Sequence, residues 1–139
     1  MARELWTLWG SFVIAVFLYP TLAYFFLTSG EPNRDMLFLA VFAIFALGNA
    51  IASVVVRINI LNKKLDQGAI DLSSEEGKQK CKSLHIICWA LAETSAIMGI
   101  CWVVIANDFI LSLPFYGVSL IAFALNLPRT GNQESKEIP

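Results

Sequence analysis

Four long apolar stretches, separated by short polar ones, set the pattern of this chain. They cover residues 5–27, 36–56, 84–106 and 109–127. Each approaches the ~20 residues that carry an α-helix across about 30 Å of hydrocarbon. We read no strand, internal repeat or low-complexity tract between them. The predicted architecture is a single domain over residues 1–139. It is an all-α integral membrane protein, a four-transmembrane-helix bundle built from two antiparallel hairpins. The first stretch follows Arg3, as the apolar part of a signal peptide would. It is longer than the ~7–15 residues of such a segment and no A-x-A site follows, so it is expected to be a retained span.

The connections differ in kind. Gly30-Glu31-Pro32-Asn33 reads as a short turn. Asn107-Asp108 is tighter, so the third and fourth helices are expected to form a close hairpin. The 57–83 loop is longer. Ile58, Leu61 and Leu65 keep helical spacing, which predicts that the second helix runs to about Asp66 and that Gly68 ends it. Ser73 with Glu76 three residues later reads as a capping box, so the third helix is expected to begin before its membrane part. The 130–139 tail is polar and expected to be mobile.

Charge gives this architecture a direction. Nine of the ten basic residues fall on one side: Arg3, the 57–83 loop, Arg129 and Lys136. Only Arg34 falls on the other. The positive-inside rule then places both termini in the cytoplasm, N-in and C-in, and we expect a bacterial plasma membrane. Trp6, Trp9 and Trp89 would form an inner aromatic belt, with Tyr24 and Trp102 near the outer interface.

Composition agrees: 57% of residues are hydrophobic and 15% charged, against about a quarter charged in soluble domains. The net charge of −1 says little about partners. No basic run with interleaved aromatics points to nucleic acid. Cys81, Cys88 and Cys101 share one helix and cannot pair with one another. With His85 as the lone histidine, neither a disulfide framework nor a zinc site is expected.

One residue stands out chemically. Glu93 is the only acidic residue inside any span, about 3 Å from the centre of the third. A charge at that depth costs at least about 2.5–3.5 kcal/mol, and no Lys or Arg in any span offsets it. A neutral, hydrogen-bonded carboxyl facing other helices is expected. Asn49, on the second span, lies nearly level with Glu93 and is the expected partner, since its amide can donate or accept. Tyr19, Tyr116 and Ser119 are other polar groups at middle depth. Two readings stay open: Glu93 exchanges a proton or sodium ion, or it bonds to Asn49 and holds two helices in register. His85 is too far along the helix, roughly 12 Å, to touch Glu93 directly.

Small residues surround the carboxylate. Ala92 with Ala96, and Ser95 with Gly99, are small-xxx-small pairs, and Gly48 with Ala52 repeats the pattern on the second helix. Such pairs mark close helix contact. Pro20 and Pro114 lie inside spans and are expected to kink them. No nucleophile elbow, P-loop or paired-histidine zinc motif is present, and no cofactor or catalysis is expected.

The stretch at residues 90–100, ALAETSAIMGI, resembles the carboxylate-bearing helix of the proteolipid c subunits of rotary ATP synthases. A polar, basic loop precedes it, as in that family. The resemblance implies that Glu93 carries the translocated proton or sodium ion and that copies pack side by side. It covers eleven residues well and about fifty loosely. The second span lacks the family's glycine stripe, and the loop lacks its Arg-Gln-Pro signature. The reading favoured from the residues is a noncatalytic accessory or assembly subunit of a membrane complex. Its expected partners are lipid and other membrane subunits or copies of itself. The alternative is the ion-binding proteolipid.

Overall fold

A computed structural model describes residues 1–129; the tail at 130–139, expected to be mobile, lies outside the described residues. The described chain is helical, with no strand. Its four helices are α1 (Ala2–Leu27), α2 (Met36–Asp66), α3 (Glu75–Ala106) and α4 (Phe109–Leu125). The first three are long and apolar enough to cross a membrane; the fourth is a shorter apolar helix of 17 residues.

Local chemistry explains the ends. Asp35 caps α2 by accepting from the Leu37 and Phe38 N–H groups at 2.9 and 3.3 Å. Asp108 caps α4 through the Leu111 N–H. Helix α2 does run on to Asp66, and Gly68 follows at φ +67°, the left-handed region that suits glycine. The start of α3 is one residue later than the capping-box spacing implies. Ser74, not Ser73, accepts from the Gly77 N–H. Ser73 is drawn back to Asp71 by its hydroxyl and its N–H, and Glu76 pairs with Lys80 on the surface. A Cβ at Gly77 would lie 1.8 Å from the Asp71 carbonyl oxygen, so the chain crosses its own backbone there.

Pro20 removes one N–H from α1, and a π-turn over Ala23–Leu27 follows it. A second π-turn, Arg57–Asn62, lies within α2 without a proline.

Helix α3 is the centre of the bundle and packs against all three others. The α3–α4 hairpin forms as its tight turn predicts, with Asn107 at φ +52°. The other expected hairpin does not form. Helices α1 and α2 barely touch and lie on either side of the α3–α4 pair. Their linker is tied instead to the α3–α4 turn. The Asn107 side chain accepts from the Ser29 N–H at 2.7 Å, and the Asn33 N–H donates to the Ala106 carbonyl at 2.7 Å. Arg34 reaches Asp108 at 2.6 Å. Burial opposes ionisation of Asp108, but the Leu111 N–H and the Arg34 guanidinium outweigh it and hold the carboxyl below its ordinary range.

The outward surface is apolar. Phe17, Phe25, Phe26, Leu37 and Ile44 are all exposed. The aromatic belts are not as expected: Trp89 and Trp102 are core residues at 0% and 1% exposure, whereas Trp6 and Tyr24 face outward.

Candidate functional site

The residues around Glu93 form a layer of interhelical hydrogen bonds. Ala92, Ser95, Ala96 and Gly99 lie buried along α3. Their small side chains admit the neighbouring helices closely enough for side chains to reach backbone across the gap. Ser95 donates to the Ala46 carbonyl of α2 at 2.8 Å. Ser119 of α4 donates to the Ala92 carbonyl at 2.8 Å. Tyr19 of α1 donates through its hydroxyl to Glu93 Oε1. Within one turn of α3, then, one bond runs to each of the other three helices.

The partner of Glu93 is therefore Tyr19, not Asn49. The Asn49 side chain turns back on its own helix and donates to the Phe45 carbonyl at 2.8 Å. Gly48 faces away from the bundle, with nothing within 4 Å of where its Cβ would be. The face that α2 presents to the core is Ala46, Ala50 and Ser53, one stripe at helical spacing. Gly48 lies about 200° around the helix from Ala46 at 100° per residue. The pair Gly48 and Ala52 thus does not mark the helix contact.

Tyr116 is buried over Gly99, where an added Cβ would come within 3.0 Å of its ring. Its hydroxyl approaches Ser112 without closing a hydrogen bond, and it does not reach Glu93's partner set. Glu93 and Tyr19 are both only partly buried.

A second polar cluster, at the end of the bundle where α1 begins, was not anticipated. Trp89 donates to the Asn126 carbonyl at 2.8 Å, and the Asn126 amide donates to Ser53 Oγ at 3.0 Å. Trp9 donates to the Phe123 carbonyl. His85 is fully buried, with Nδ1 against the Cys81 carbonyl and Nε2 accepting from the Arg129 N–H at 3.1 Å. That pairing fixes the neutral tautomer with its proton on Nδ1 and leaves no nitrogen to relay protons. The only signal for this cluster in the sequence is a polar residue, Asn126, at the very end of an apolar run.

Among the described residues no three His, Cys, Asp or Glu side chains converge as a metal site would require. The three cysteines are free.

Family models, curated proteins and solved structures gave no match to this chain.

Proposed function

We propose that this is a membrane-embedded, noncatalytic scaffold or accessory subunit in which α3 is locked to its three neighbours at middle depth. Length and apolar composition support membrane insertion, and the apolar perimeter exceeds what water-soluble monomers expose. The observation that carries the proposal is the hydrogen-bonded layer at Ala92, Glu93 and Ser95. Each bond ties α3 to a different helix. Glu93 completes that layer as a packing contact to Tyr19. Both termini and the long α2–α3 loop lie on the cytoplasmic side in this reading. Purification in mild detergent tests it: the chain should be recovered with other membrane subunits in fixed stoichiometry. Recovery as a ring of identical copies would overturn it.

The ion-carrier reading has one observation in its favour, the incomplete burial of Glu93, which leaves the carboxyl approachable from the α1–α3 edge. Dicyclohexylcarbodiimide separates the two. Labelling of Glu93 that sodium or raised pH suppresses supports the carrier; a carboxyl that stays unlabelled in intact membranes supports the scaffold.

A further inference from the structure

Glu93 is only half satisfied inside the bundle. Its Oε1 accepts from the Tyr19 hydroxyl. Its Oε2 makes no hydrogen bond among the described residues and is not enclosed by them. The surface it reaches faces outward. Ala90 and Ile97, three residues before Glu93 and four after, are its neighbours along α3, and both are exposed. Val104, at 60% exposure, continues the same edge. Thr94, beside the carboxyl, has committed its hydroxyl to the Ala90 carbonyl at 3.0 Å. In the membrane reading this edge of α3 meets lipid at middle depth.

An ionisable side chain with an unpaired oxygen against hydrocarbon is costly, and in membrane bundles such groups pair with other polar or charged ones. This chain cannot supply the missing partner. No Lys or Arg lies in residues 5–27, 36–56, 84–106 or 109–127. Asn49 donates to its own helix, at the Phe45 carbonyl. A second copy has the same deficit and would set acid against acid. The group that completes Glu93 therefore comes from a different chain. Ala90 is small, so a neighbouring helix can approach α3 closely beside the carboxyl.

We propose that the α3 edge at Ala90, Glu93 and Ile97 docks a transmembrane helix of a different subunit, which presents an arginine to Glu93 Oε2. The inference deepens the accessory-subunit reading and rests on it. Tyr19 holds the carboxyl from inside the bundle, and the guanidinium binds it from outside. Arginine suits the role because it stays charged and donates in a fixed fork that matches a carboxylate.

The test reconstitutes the full chain in phosphatidylcholine vesicles with a leucine-rich transmembrane peptide that carries a dansyl group and no tryptophan. The peptide is made with Arg, Gln or Leu at its centre, and energy transfer from the chain's tryptophans reads association. The Arg peptide is expected to bind at one equivalent, about five- to thirtyfold more tightly than the Leu peptide, as polar contacts between membrane helices allow. Glu93→Gln, which still accepts from Tyr19, should remove that preference. Ala90→Phe, a bulky change at an exposed position, should weaken binding of all three peptides. The wild-type comparison decides the matter even if a variant fails to fold. Equal binding of the Arg and Leu peptides overturns the proposal. So does a Gln peptide that binds as tightly as the Arg peptide, a preference for Arg that survives Glu93→Gln, or an Ala90→Phe chain that binds as the wild type does. Alkaline carbonate extraction of the same vesicles is run in parallel. Release of the protein overturns the membrane reading itself, and assembly into a ring of identical copies overturns the accessory-subunit reading. Retention as a monomer without preference for the Arg peptide overturns only the docking edge.

Discussion

Two glycines in the middle of adjacent helices should respond oppositely to the same substitution. At Gly99 an added Cβ would lie 3.0 Å from Cε1 and Cζ of Tyr116 and 3.1 Å from Cβ of Phe115. The ring and the α4 backbone must give by a few tenths of an ångström, and such overpacking costs about 1–3 kcal/mol. Alanine recovers up to about 1 kcal/mol of helix propensity. Gly99→Ala is therefore expected to destabilise by about 0–2 kcal/mol, and Gly99→Leu, which cannot be absorbed by a small shift, by considerably more. At Gly48 nothing lies within 4 Å of the added atom. Only the propensity gain remains, so Gly48→Ala should be neutral or stabilising by up to about 1 kcal/mol. Gly117, equally open, serves as a control on α4. The assay is reversible unfolding in mixed micelles, followed by tryptophan fluorescence, since Trp89 and Trp102 are core residues. If Gly48→Ala destabilises as much as Gly99→Ala, the helix faces are assigned wrongly.

Three further predictions follow from the ends of the bundle. Asp108 has an ordinary value of 3.8 and is held below it in the fold. The stability it contributes is therefore present above about pH 4 and lost as pH falls further, and Asp108→Asn should flatten that part of a stability–pH profile. Gly77→Ala places a Cβ 1.8 Å from the Asp71 carbonyl oxygen. It should cost several kcal/mol or displace the 70–74 turn, visible as new protease cleavage there. Asn126→Ala removes the donor to Ser53 and Ala122 in a fully buried setting. A loss of about 1–3 kcal/mol is expected in a melting experiment.

Hydrophobic run length made the helices legible, because an apolar stretch of about 20 residues has few other stable fates. The extension of α2 to Asp66 was legible from Ile58, Leu61 and Leu65, which keep its helical phase. Helix pairing was not legible. The linker at residues 28–35 is long enough to cross the bundle, and Asn107 and Asp108 supply the polar groups that hold it there. The depth of Glu93 follows from 1.5 Å of rise per residue, but its partner depends on azimuth, which requires knowing which helix is adjacent. Asn49 and Tyr19 both met the depth criterion. Asn49 satisfies itself on Phe45, whereas Tyr19 is carried on the helix that packs against the Glu93 edge. Of the Ser53–Asn126–Trp89 cluster the sequence showed only Asn126 at the end of an apolar run; the rest is legible once the α4 terminus is placed beside α2 and α3.

The central claim is that Glu93 acts as a packing contact to Tyr19, and a double-mutant cycle tests it most directly. Tyr19→Phe, Glu93→Leu and the double variant are compared by unfolding in micelles. The account predicts a coupling energy of about 0.6–1.7 kcal/mol, the range of hydrogen bonds between membrane helices. It also predicts that Glu93→Gln, whose amide carbonyl still accepts from the Tyr19 hydroxyl, keeps most of the stability that Glu93→Leu loses. Additive single variants, or a Glu93→Gln as unstable as Glu93→Leu, would contradict it.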